Sequence, residues 1–163
     1  MMRRAVFVTV AVTALVVAMN SPLQAAAGQQ VFGRWSQDGA SGGINARGLG
    51  SDAGRGGPGE DHAIGSFSNF WSGRLVYRVR VTCLAVNGNM ATVGGEIISS
   101  EVSPGHVGSG LVLFVVDGGA FGAGDQLGHS LNSEPQPLPG PECPTPYAPG
   151  WPLTSGDIRI SGG

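Results

Sequence analysis

All 29 glycines of this 163-residue chain lie beyond Ala27, and no other feature narrows the possible folds so far. An ordered glycine inside a helix or strand costs about 0.5–1 kcal/mol relative to alanine. A chain with roughly one glycine in five residues after Ala27 therefore needs compensation from outside ordinary packing. Cys83 and Cys143 are the only cysteines. In an oxidising compartment one intramolecular pairing is available to them, and closing the loop between them would contribute about 4 kcal/mol on the chain-entropy picture. Two buried free thiols, or a bond between chains, are the alternatives.

The compartment is read from the start of the sequence. Met1-Met2-Arg3-Arg4, an uncharged apolar run from Ala5 to Met19 and the small residues Ala25-Ala26-Ala27 have the three-part layout of a secretory signal, cut before Gly28. The run is short for a bilayer span. A retained anchor and a twin-arginine signal at Arg3-Arg4 are the competing readings, and the flanking residues fit general secretion better. No cysteine follows the cleavage region, so lipid attachment there is excluded by chemistry, and no second apolar segment occurs. The expected product is secreted, free of a membrane span and monomeric.

Loss of Arg3 and Arg4 leaves seven of nine basic residues against 11 acids, a formal charge of −4 with histidine neutral. That balance disfavours nucleic acid as a partner. The chain contains no lysine, which removes Schiff-base, Ser-Lys and P-loop lysine chemistry.

The predicted organisation is a signal peptide over 1–27, a Gly-rich flexible segment over 28–62 with one short strand at Gly43–Arg47, and a β core over 63–163 that includes a Pro-rich strap at 135–152. Ala63–Phe70 alternates in the manner of an edge strand. Arg74–Val86 is the best-specified element, with Leu75, Tyr77, Val79, Val81, Cys83 and Ala85 on one face and Arg74, Arg78, Arg80 and Thr82 on the other. Two registers are open for the hairpin that follows. A two-residue loop at Asn87-Gly88 would bury Thr92 and Glu96; a three-residue loop pairs Cys83 with Val93 and Val79 with Ile97, with Asn89 left-handed, and is preferred. Leu111–Val116 reads as a central strand covered on both faces. Eight prolines between Pro135 and Pro152 exclude that stretch from a central sheet position, and Asp157–Ser161 closes with Ile158 and Ile160 inward. The fold class is all-β: a single-domain antiparallel β-sandwich or small barrel with Gly-rich and Pro-rich loops.

Candidate chemistry is sparse. Asp117 and Asp125 flank a flexible Gly-rich loop and offer oxygen ligands to a structural calcium ion; a solvated turn in which both acids cap N–H groups is the plainer reading. His62, His106 and His129 show no metal-ligand spacing and read as surface-loop residues. Asp61-His62 with a distant serine would mimic a hydrolytic triad, but no G-x-S-x-G occurs, Gly108-Ser109-Gly110 being preceded by Val107. Arg74, Arg78 and Arg80 would read an anionic polymer or simply blunt a sheet surface. Trp35, Trp71 and Trp151 offer faces for sugar stacking, with core filling the competing fate of at least two.

Ile44-Asn45-Ala46-Arg47, Val81-Thr82-Cys83-Leu84 and Ala91-Thr92-Val93-Gly94-Gly95 resemble segments of small secreted actinobacterial proteins of the post-COAP domain family. The likeness continues through Val116-Asp117-Gly118, Gly122-Ala123-Gly124-Asp125, the Pro-flanked Cys143 and Leu153-Thr154-Ser155-Gly156-Asp157-Ile158. It implies an exported, mostly β domain found beside or in cell-surface architectures, with no established catalytic activity. The chain departs from that pattern in the glycine insertion before Ala63 and in the His106–Gly110 turn. Three readings follow: a non-catalytic extracellular structural or binding module, with no cofactor and an unidentified cell-surface partner; a calcium-stabilised carbohydrate-binding module; and a small hydrolase.

Overall fold

Strands occupy almost every stretch in which β-branched and aromatic residues alternate with small or polar ones, as expected of half-buried pleated surface. The computed structural model describes residues 28–49, 62–119, 122, 124–130, 135–139 and 143–162. Residues 1–27, predicted as a signal peptide, and the stretch 50–61 lie outside them. Eight strands are formed: β1 (Gln30–Gln37), β2 (Ala40–Gly48), β3 (Ala63–Trp71), β4 (Arg74–Asn87), β5 (Met90–Ser99), β6 (Gly110–Val116), β7 (Gln126–His129) and β8 (Ser155–Ser161). They make one antiparallel sheet in the order β7-β6-β5-β4-β3-β2-β1-β8. The barrel half of the predicted class is the one adopted: a single sheet curls into a half-barrel and does not split into two layers.

The segment before residue 62 is more structured than its composition suggests. In place of one short strand it supplies β1 and β2, of eight and nine residues, and it makes β3 an interior strand where an edge was expected. Glycine permits this. Gly33 (φ 156°) and Gly65 (φ 136°) hold backbone conformations that side chains rarely adopt, and a Cβ at either would fall within 2.2 Å of a carbonyl oxygen on the neighbouring strand. Close inter-strand approach at such points lets a sheet coil tightly.

The concave face holds the core. Val31, Trp35, Ile44, Phe67, Tyr77, Val79, Val93, Leu113 and Ile158 belong to one contiguous buried cluster, and Phe67 meets Tyr77 edge-on at 6.1 Å. The β4–β5 hairpin corrects the predicted register in part. Asn87 pairs with Met90 around the two-residue loop Gly88-Asn89, so Cys83 faces Gly94, not Val93, while Val79 does face Ile97. The left-handed residue is Gly88 (φ 60°), not Asn89. A bulge between Val81 and Cys83 reconciles the two halves by leaving Thr82 as the extra residue. It also reverses the strand's faces. Val79 and Val81 point into the core before it and Leu84 and Val86 after it, which sends Cys83 and Ala85 to the convex side, where they cluster with Cys143.

That reversal is what lets the disulfide work from outside. Cys83 and Cys143 are bonded, and Cys143 carries the Pro-rich strap over the convex face of β5, β6 and β7. Gly110 donates its N–H to the Gln136 carbonyl at 2.8 Å, and the strap's far end pairs with β7 through Leu127 N–H to the Trp151 carbonyl at 3.1 Å. Tyr147 lies on Phe114 with ring centroids 4.2 Å apart. The strands beneath are bare where the strap crosses. A Cβ at Gly94 would stand 2.7 Å from the Cys83 sulfur, at Gly110 2.0 Å from the Pro137 carbonyl oxygen and at Gly128 2.5 Å from Pro149.

Candidate functional site

The convex face outside the strap is built by alternation. Because Val31 and Trp35, Ile44 and Ala46, Phe67, and Val79 and Val81 point into the core, their neighbours Phe32, Arg34, Asn45, Arg47, Ser66, Ser68, Arg78 and Arg80 point outward. Register sets these in rows across the strands. Arg34 pairs with Gly43, Gly43 with Ser68 and Ser68 with Arg78. In the next row Arg159 pairs with Phe32, Phe32 with Asn45, Asn45 with Ser66 and Ser66 with Arg80. An open trough of about 400 Å³ lies in the first row, lined by Arg34, Trp35, Ser41, Gly42, Gly43, Ser68 and Phe70.

Five arginines share this surface. Arg80 is held by Glu96 at 2.8 Å and Arg159 by Asp157 at 2.9 Å. Arg34, Arg47 and Arg78 are exposed and make no ion pair among the described residues. A guanidinium fork without a partner is a ready bidentate donor to a carboxylate, sulfate or phosphate. Sequence reasoning found Arg78 and Arg80 from the β4 pattern but missed Arg34, Arg47 and Arg159. For Arg34 and Arg47 the same period-two alternation was hidden by the glycines of β1 and β2, whereas Arg159 follows from the inward Ile158 and Ile160 of β8.

The remaining candidates are dispersed. Asp117 and Asp125 do converge, but on backbone. The Asp125 oxygens accept from Gly118 N–H and Ile158 N–H, both at 2.8 Å, and the Asp117 oxygens from Gly119 N–H at 2.8 Å and Ile160 N–H at 3.1 Å. The turn is not solvated as expected: Asp125 is 1% exposed. Four N–H dipoles aimed at two carboxylates satisfy the anions and stitch the loop after β6 to β8, so the pair has a structural task. Among the described residues no group of three or more His, Cys, Asp or Glu is placed to hold a metal.

Trp35 is buried in the core at 4% exposure, whereas Trp71 and Trp151 are each 54% exposed, so one tryptophan and not two fills the core. Trp71 ends β3 and Trp151 lies beside His129, and no ring contact joins them. His62 precedes β3 and His106 sits in the 3-10 turn Pro104–His106. His129 departs from the surface reading: it stands on β7 with its ring against Tyr77 and Trp151, and burial lowers its pKa from the ordinary histidine value. Asp61, the proposed partner of His62, lies outside the described residues, and Ser109 is buried with its carbonyl accepting from Ile97 N–H at 2.9 Å. No helix among the described residues is long and apolar enough to cross a membrane.

Comparison with known proteins returns no matching family model, no similar curated protein and no similar solved structure.

Proposed function

We propose that this chain is a non-catalytic extracellular module that presents one face of a rigid sheet to a partner at or near the cell surface. The observation that carries the reading is the unequal treatment of the convex face. Half of it is roofed by a strap fastened with a disulfide, while no other described residue covers the second half, which carries arginines. A disulfide-fastened strap suits a compartment where thiols are oxidised, in line with the secretory layout of residues 1–27. The likeness to the post-COAP domain family belongs to the same proposal. Mass spectrometry of protein recovered from culture medium tests it. The expected species begins at or near Gly28 and takes up no alkylating reagent until reduced. An intact leader, or two thiols alkylated in the folded protein, would overturn the proposal.

A further inference from the structure

We infer that the open half of the convex face binds an acidic polysaccharide, laid across the strands along the row from Arg34 to Arg78 and seated in the trough beside Arg34. The inference rests on the extracellular reading and adds to it a ligand class and a site.

The arginines are not explained as edge protection. Charged side chains defend exposed sheet edges against wrong pairing, but the edges here are β7 and β8, and Arg34, Arg47 and Arg78 stand on β1, β2 and β4, each flanked by two bonded neighbours. Nor are they paired locally. Asp157 stands opposite Arg34 in the register, but its carboxylate is held by Arg159, and Glu96 is held by Arg80, so Arg34, Arg47 and Arg78 make no ion pair among the described residues of a chain whose formal charge is −2. Positive charge is thus gathered on one surface of a protein that is negative as a whole.

The ground between the cations has the shape and chemistry of a sugar platform. Arg34 and Arg78 stand three strand spacings apart, ~14 Å at the usual separation of neighbouring strands. Only Gly43 and Ser68 intervene, so nothing tall interrupts the row. Ser41 and Ser68 supply hydroxyls, and Phe70 supplies apolar surface on which the C–H face of a pyranose packs. A phosphate-dense duplex would meet the overall negative charge of the chain without using these hydroxyls or this ring. Each arginine fork accepts a carboxylate or a sulfate. The shared chemistry is therefore a polysaccharide with regularly spaced anions.

The test is affinity chromatography of the secreted, disulfide-bonded protein at low ionic strength on immobilised alginate, dextran sulfate, neutral dextran and duplex DNA. Retention on alginate, on dextran sulfate or on both, released by salt and absent on neutral dextran, is expected; alginate identifies a carboxylate ligand and dextran sulfate alone a sulfated one. Arg34→Ser with Arg78→Ser should weaken binding about tenfold or more at an unchanged melting temperature. Gly43→Leu fills the trough without altering charge, at a position where an added Cβ meets nothing closer than 3.5 Å, and should weaken binding as much. No retention of correctly processed protein, retention on DNA as strong as on either polysaccharide, or full binding by the Gly43→Leu variant would overturn the inference. None of these outcomes touches the extracellular reading, which fails on leader and thiol status alone.

Discussion

Under the strap, the outward positions of β5, β6 and β7 include Thr92, Gly94, Gly110, Phe114 and Gly128; on β1, β2 and the first half of β4 they include Phe32, Arg34, Gly43, Asn45, Arg47, Arg78 and Arg80. One sheet face has been made in two materials. Where the chain must lie flush on its own sheet, side chains are small or apolar, since even a methyl group would collide with the strap. Where it meets solvent, long charged side chains return. β4 belongs to both halves, and the bulge at Thr82 marks the change, with Arg78 and Arg80 outward before it and Cys83 and Ala85 outward after it. A single extra residue thus turns a solvent-facing strand into an anchoring one.

Removing the tie should give the largest effect. Cys83→Ser with Cys143→Ser is expected to cost about 4 kcal/mol on the chain-entropy estimate for a loop of this length, read by thermal or chemical denaturation, whereas Arg34→Ser with Arg78→Ser should leave stability unchanged. Equal losses in the two variants would erase the distinction between the halves.

Next comes the stitch between them. Asp125→Ala deprives Gly118 and Ile158 of a charged acceptor at a buried site, and hydrogen bonds to charged groups contribute about 1.5–3 kcal/mol each. A loss of about 3 kcal/mol or more is expected. Asp117→Ala should lose less, because Asp117 is only partly buried. A melting temperature for Asp125→Ala within a degree or two of the parent would show that the β8 edge closes without it.

A matched pair of glycines sharpens the comparison at smaller scale. Gly94→Ala places a methyl 2.7 Å from the Cys83 sulfur, and overpacking of this kind costs about 1–3 kcal/mol. Gly43→Ala on the open half meets only ordinary contacts and should be neutral or stabilising by a few tenths of a kcal/mol, as expected for a glycine replaced without strain. The reverse ranking in denaturation midpoints would contradict the assignment of the two halves.

The smallest effect is on pH. Burial depresses the His129 pKa, so between that lowered value and ~6.5 the unfolded chain binds a proton that the folded chain does not. This contribution to stability is complete above the unfolded value and declines as the pH falls through the window. His129→Gln should flatten the dependence of melting temperature on pH between 7 and the lowered value. A parent protein that grew more stable on mild acidification would contradict it.

Much of the architecture was legible in the residues. The alternation of Val79 and Val81 with Arg78 and Arg80, the apolar run Leu111–Val116 and the inward Ile158 each read directly as strand, and the prolines read as a strap, because period and ring constraint act locally. What escaped depended on distant partners. β1 and β2 looked unpackable because glycine density signals flexibility until a neighbouring strand fills the space. The short β7 carries too few apolar residues to announce itself. The Thr82 bulge has no local marker at all, and with it went the true face of Cys83. For the candidate site, the β4 arginines could be read from the pattern, but the row from Arg34 to Arg78 exists only once four strands are in register.

Hydrogen exchange followed by mass spectrometry, comparing the native protein with the same protein after gentle reduction, tests most directly whether the strap is a separate roof held by one bond. Gly110 and Leu127, whose N–H groups are bonded to Gln136 and Trp151, should lose protection on reduction, while β1, β2 and β3 keep theirs. Loss of protection in all strands together, or none anywhere, would contradict the division of the convex face on which this account depends.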